Sequence, residues 1–315
     1  MITFSNGRKI QYFVASGALA FDTKGWPWEW LLVWLGLIDR TLFGIAIKSL
    51  TKNKLKGNLR WWKPWECVKL IIGGAVNKVG LTNPGFEWWM TKVAPKLDFV
   101  KYNIIVSLVG TEEELIYMVK RLNALNIVAI EINESCPNTG HPAEDTKAVI
   151  RKLKAVKEHS RHPVILKTSA DQDGVALAEG LLGIIEAMSF NTLAWAKVFP
   201  GVRSPLWKLE KKVGGGGGGV SGKELQKHNW PFMKEIHESV PGMPLIASSI
   251  MEYDDFSRAD GFGCSAYSLG TIFLPDHPVW FKPWTIFTNP CKVTFIVQKH
   301  MEEQLDKSAA AIMYK

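Results

Sequence analysis

Residues Ile130-Glu131-Ile132-Asn133-Glu134-Ser135-Cys136-Pro137-Asn138 combine an apolar run with two asparagines that bracket one cysteine. Neutral amide side chains offer both donors and acceptors, so Asn133 and Asn138 can hold a planar polar ligand without adding charge. A thiol between them, Cys136, is placed to take or give a proton, or to attack. Pro137 stiffens the turn. Structure alone rarely asks for this combination at a strand end.

The elements that must position these residues recur along the chain. Strand-like apolar runs lie at residues 11–15, 43–47, 103–108, 127–132, 163–167, 183–188, 244–247 and 265–269. Helical patterns lie at 27–38, 112–125, 143–159, 174–180, 222–239 and 254–259. Eight alternating units predict a closed parallel (β/α)8 TIM barrel with its active site at the carboxyl ends of the strands. Lys48, Ser107, Asn133, Lys167, Asn191 and Gly270 all fall at such ends. The domain reading is one barrel over residues 1–300, followed by a helix and tail at 301–315.

Composition bounds the function. Hydrophobic residues make up 47% and charged residues 22% of 315, which suits a folded chain with a substantial core. The net charge of +8 comes from lysines spread along the chain rather than clustered, which argues against nucleic-acid binding. Four cysteines (Cys67, Cys136, Cys264, Cys291) form no C-x-x-C pair, and no signal segment is apparent, so free thiols in a reducing cytoplasm are expected. Cys67, Cys264 and Cys291 read as packing residues, and His141 as a surface residue. Within the Trp-rich stretch 26–47 the longest uncharged run, 30–38, is far short of the ~20 residues of a spanning helix. A buried or partner-facing helix is expected there, and no transmembrane segment.

Six consecutive glycines, Gly214 to Gly219, precede Val220-Ser221-Gly222 and a predicted helix. A glycine loop entering a helix amino terminus is a phosphate site; a flexible linker is the alternative.

In this order the motifs resemble those of class 1 dihydroorotate dehydrogenases, which use a cysteine in the active-site loop. Asn133-x-Ser135-Cys136-Pro137-Asn138 resembles that loop, and Ala15-Ser16-Gly17 resembles the first-strand flavin contact. Lys48-Ser49-x-Thr51 is similar to the lysine loop that reaches flavin and substrate. Asn77-Lys78-Val79-Gly80-Leu81-x-Asn83-x-Gly85 is similar to the substrate loop, and Val164 to Lys167 to the strand of the second flavin lysine. Asn191-Thr192, Gly218 to Gly222 and Leu269-Gly270-Thr271 complete the set.

The resemblance implies an FMN-dependent oxidation of dihydroorotate to orotate for pyrimidine synthesis. Cys136 would be the base; Lys48, Asn77, Val79, Gly80, Leu81, Asn133, Asn138, Asn191 and Thr192 would hold the substrate. FMN would rest on Ala15, Ser16, Gly17, Lys48, Ser49, Asn133, Lys167, Gly219, Ser221, Gly222, Ser248, Ser249, Gly270 and Thr271. No metal is implied. A homodimer is implied, with fumarate or a partner subunit as electron acceptor. The chain departs from the pattern at Ile246-Ala247-Ser248-Ser249-Ile250, where a G-x-G-G segment is usual, and at Glu134. Alternation along the strand points Glu134 away from the ligand. Two other readings stay open: a flavin oxidoreductase for another dihydropyrimidine such as dihydrouracil, and a degenerate non-catalytic barrel acting as a binding or scaffold subunit.

Overall fold

The computed structural model describes residues 1–60, 62–134, 145–190, 192–275 and 284–313. Eight strands close into a barrel: β1 Tyr12–Val14, β2 Gly44–Ala46, β3 Asn103–Leu108, β4 Ala129–Asn133, β5 Val164–Thr168, β6 Ala187–Phe190, β7 Leu245–Ala247 and β8 Ala266–Leu269. Each strand pairs in parallel with its neighbours in sequence, and β8 closes onto β1 through Tyr267 opposite Tyr12. This is the expected (β/α)8 barrel.

Alternation along the strands divides the core in two. One residue from each strand (Phe13, Ala46, Ile105, Ala129, Ile165, Ala187, Ile246 and Ala266) joins a single cluster inside the barrel. The hairpin Ile2–Thr3 with Lys9–Ile10 plugs its amino end, adding Ile2, Phe4 and Ile10 to that cluster. The outward-facing residues, among them Ile104, Val106, Ile130, Ile132, Val164 and Leu166, pack on the surrounding helices. On the helix Glu112–Leu122, Leu115, Met118, Val119 and Leu122 are buried at helical spacing, and a Thr111–Glu114 capping box starts it. Each such side chain contributes about 1.5–3 kcal/mol of burial.

Four elements differ from the sequence reading. The sixth strand is Ala187–Phe190, not 183–188, because the apolar run continues from the helix Gly174–Leu181 into a turn where Gly183 takes φ +77°. Only Trp30–Trp34 of the Trp-rich stretch is helical, and Gly36 at φ +74° follows its end. Of the buried or partner-facing helix expected, one side is covered and the other open: Leu32 is buried, while Trp30, Leu31 and Trp34 are exposed. The glycine run passes into a strand, Gly219–Gly222, and the next α-helix begins at Gln226 rather than at Gly222. Finally, the terminal helix is longer than expected, Thr285–Met313.

A second sheet went unforeseen. Val68–Ile71, Gly74–Asn77, Gly219–Gly222 and Leu193–Ala194 form four antiparallel strands. They come from the connections after β2 and β6, so they rise from the carboxyl end of the barrel. Gly222, at φ +105°, is required by packing: a Cβ there would sit 2.4 Å from the Gly73 carbonyl oxygen. Val76, Leu193, Trp195 and Val220 form the cluster beneath this sheet. Among the described residues, no helix is long and apolar enough to cross a membrane.

Candidate active site

Above the apolar floor of the barrel, the next inward position on several strands is polar. Ser107, Glu131 and Lys167 stand two residues beyond Ile105, Ala129 and Ile165, and all three are buried. Ser107 Oγ donates to Glu131 Oε1 at 2.8 Å, and Lys167 Nζ lies 3.4 Å from the same oxygen. Lys167 Nζ also donates to Ser16 Oγ at 2.8 Å. Ser49 Oγ and Ser107 Oγ are 2.8 Å apart, and Asn133 Nδ2 donates to Ser49 Oγ at 3.3 Å. A continuous polar network thus joins Ser16, Lys167, Asn133 and Ser49, four residues that sequence reasoning had singled out separately. Glu131 and Ser107 link them. Sequence reasoning did not assign Glu131 a site role; its signal is a carboxylate inside an apolar strand, which burial makes costly without a partner.

Lys48 lies just after β2, buried, with its backbone N–H donating to the Ala20 carbonyl at 2.8 Å. The loop it begins is clamped to the substrate-loop motif by Asn83. Asn83 Nδ2 donates to Thr51 Oγ1 at 2.9 Å and to the Leu81 carbonyl at 2.7 Å. Its Oδ1 accepts from the Gly85 N–H at 2.9 Å. Gly80 and Leu81 both take positive φ, +65° and +52°. The Val79 carbonyl accepts from Asn58 N–H and Thr82 Oγ1, each at 2.9 Å. Asn77 sits opposite Gly219 in the second sheet and donates to its carbonyl at 3.4 Å. Lys78 Nζ donates to the Gly215 carbonyl at 2.9 Å, and burial lowers its pKa below the usual lysine range.

On the other side of the mouth, Ala15 N–H donates to the Leu269 carbonyl at 2.9 Å. Ala15 and Gly270 come so close that a Cβ on Gly270 would lie 2.9 Å from the Ala15 Cβ. Thr271 opens the 3-10 turn Thr271–Phe273. After β7, Ser248 Oγ accepts from Asn229 Nδ2 at 3.0 Å, and the Ser248 carbonyl accepts from Trp230 Nε1 at 3.0 Å. Ser249 takes φ +65°, a left-handed conformation that favours glycine. Gln226 Nε2 holds the Ser249 carbonyl at 2.9 Å.

Glu134 faces away from this network, as alternation predicts. It pairs with Lys152 on the helix Thr146–His159 at 2.9 Å, both side chains buried. Ser221 Oγ donates to the Ala75 carbonyl at 3.3 Å, and Thr192 is half-buried just before Leu193–Ala194. Cys136, Asn138, His141 and Asn191 lie outside the described residues. The described cysteines are all free. Burial pushes the Cys67 thiol up to about 11, and raises Cys264 and Cys291 as well. Among the described residues no cluster of His, Cys, Asp and Glu could hold a metal ion.

A buried ammonium paired with a carboxylate, neutral amides and backbone at positive φ together line a polar mouth that can hold a hydrogen-bonding ligand. Gly17 adds to the fit: at φ +98°, nothing lies within 4 Å of where its Cβ would be.

Residues 34–283 match the protein-family model described as Dihydroorotate dehydrogenase. The chain is 30% identical over 246 residues to the protein named dihydroorotate dehydrogenase B (NAD(+)), catalytic subunit, of Caldicellulosiruptor saccharolyticus, covering 75% of this chain and 78% of that one. To the protein of the same name from Listeria welshimeri it is 29% identical over 245 residues, covering 75% and 77%.

Proposed function

The chain belongs to the dihydroorotate dehydrogenase family, and from that premise we propose that it oxidises dihydroorotate to orotate with FMN bound across the barrel mouth. It is an oxidoreductase acting on a CH–CH bond. The observation that carries the reading is the buried network joining Ser16, Lys167, Glu131, Ser107, Ser49 and Asn133.

Bound FMN supplies the hydride acceptor, which no protein side chain can be. The chain's own residues do the rest. Cys136 takes the proton from the carbon adjacent to the one that loses hydride; a thiol near its ordinary pKa of about 8.5 needs little help to serve as base. Asn77, Asn133, Asn138 and Asn191 hold the ring's carbonyls, imide nitrogen and carboxylate by neutral hydrogen bonds. Val79, Gly80, Leu81 and Thr192 line the same ligand. Lys167 and Lys48 place positive charge where negative charge collects on the reduced cofactor. Glu131 holds the Lys167 ammonium in place and balances its charge in the buried barrel interior. Ala15, Ser16 and Gly17 on one side, and Ser248, Ser249, Gly270 and Thr271 on the other, hold the remainder of the cofactor, its phosphate included. The relatives' name, dihydroorotate dehydrogenase B (NAD(+)), catalytic subunit, supports a partner subunit as electron acceptor.

The purified protein is expected to be yellow and to release flavin on denaturation. Anaerobic dihydroorotate should bleach it, dihydrouracil should not, and Cys136→Ala should slow bleaching about 10²–10⁴-fold while FMN stays bound. A colourless protein that takes up no added FMN overturns the reading.

A further inference from the structure

Ser189 stands in β6 one register step from the charged network. Its neighbours in the barrel are Lys167 on β5 and Ile246 on β7. Alternation fixes its direction. Met188 and Phe190 face outward, Phe190 meeting the Phe232 ring at 5.6 Å, while Ala187 belongs to the cluster inside the barrel. Ser189 therefore points inward, one layer above Ala187 and level with Lys167. It is 6% exposed, and among the described residues its hydroxyl has no hydrogen-bond partner.

An unpaired buried hydroxyl is unfavourable, and alanine already serves one layer below at the same strand. Lys167 directs two of its three N–H groups at Ser16 and Glu131, which among the described residues leaves one for a ligand. A hydroxyl and an ammonium side by side, inward from adjacent strands, form a two-donor site for an anionic acceptor.

We propose that Ser189 is a further cofactor-contacting residue, whose hydroxyl donates to a ring oxygen or nitrogen of the bound flavin beside Lys167. This rests on the FMN reading above. Hydrogen bonds to a charged acceptor are roughly twice as strong as those to a neutral one, so Ser189 favours the reduced, more anionic flavin over the oxidised one. It is thereby a determinant of the reduction potential, separate from proton removal.

The test compares wild-type holoprotein with Ser189→Ala, Ser189→Thr and Ser189→Cys. Flavin potentials come from anaerobic dye-equilibrated titration, and FMN affinities from fluorescence quenching on the apoprotein. Ser189→Ala should weaken reduced FMN about tenfold more than oxidised FMN, a drop of about 30 mV in the two-electron potential. Ser189→Thr should stay near wild type, and Ser189→Cys, a weak donor of similar size, should shift the same way as alanine. Unchanged potential and affinity in Ser189→Ala, with a raised thermal midpoint of the apoprotein, overturns the proposal and leaves the FMN reading standing. A wild-type protein that takes up no FMN removes both.

Discussion

Glu131 Oε1 lies 3.4 Å from Lys167 Nζ inside the barrel, with the two side chains only 8% and 7% exposed. Removing one partner of a buried pair leaves the other charge without compensation, which costs about 3–5 kcal/mol. Glu131→Gln preserves size and can still accept from Ser107, so the loss it shows is electrostatic. In urea denaturation it should lower stability by about that amount, and adding Lys167→Met should restore part of it. A single variant within about 1 kcal/mol of wild type would show that solvent reaches and screens the pair.

Asn83 sits where the lysine loop and the substrate loop meet, 3% exposed. Asn83→Ala strips partners from the Gly85 N–H and the Leu81 carbonyl. The expected cost is about 2–3 kcal/mol of stability, from two backbone groups left unsatisfied. Because Asn83 orders the backbone proposed to hold the substrate rather than the reacting atoms, KM for dihydroorotate should rise about tenfold while kcat changes by less than about threefold. A matched fall in kcat with unchanged KM would place Asn83 in the chemistry instead.

Ser249 holds φ +65° with its carbonyl tied to Gln226. A left-handed L-residue costs roughly 1–2 kcal/mol, while glycine in the unfolded chain costs about 0.5–1 kcal/mol in entropy. Ser249→Gly should therefore be neutral or stabilising by up to about 1 kcal/mol, unlike most substitutions. Ser249→Val, branched at Cβ, should destabilise by more than about 1 kcal/mol. Thermal unfolding of the two variants side by side checks the sign; a destabilised Ser249→Gly would mean the serine hydroxyl matters more than the backbone.

The barrel was legible because short apolar runs, richest in Ile, Val and Leu at Asn103–Leu108, Ala129–Asn133 and Val164–Thr168, recur between helical patterns. The sixth slipped where Leu181, Leu182, Ile184 and Ile185 blur helix into strand. Alternation correctly turned Glu134 away from the buried network, because that rule needs only neighbouring residues; its partner there, Lys152, is known from the structure alone. The same rule places Glu131 and Ser189 inside, yet neither was marked, since their partners, or lack of them, depend on other strands. Least legible was the second sheet. Gly219–Gly222 pairs with Gly74–Asn77 across some 140 residues of chain, and no local period announces it. Gly222, which the sequence reading places at the end of a phosphate loop, is also the condition for two backbones to touch.

Glu29, in the Trp-rich stretch beside Gly17, is 1% exposed and accepts the Trp26 N–H at 2.7 Å. Trp26 in turn donates its indole N–H to the Gly17 carbonyl at 3.1 Å. Burial raises the Glu29 pKa from 4.5 to about 7, with the Trp26 bond opposing. Below pH 4.5 both folded and unfolded chains hold the proton, so Glu29 is neutral in its effect. As pH rises from 4.5 toward 7 the unfolded chain releases it while the folded chain keeps it, and stability falls. Above that window the loss is complete, about 3 kcal/mol, and constant. Glu29→Gln keeps the acceptor for Trp26 and removes the titration. The stability of the variant relative to wild type should climb between about pH 4.5 and 7 and then level off. Urea unfolding of both proteins across pH 4 to 9 measures this; a difference that stays flat with pH would mean that Glu29 ionises freely in the folded chain.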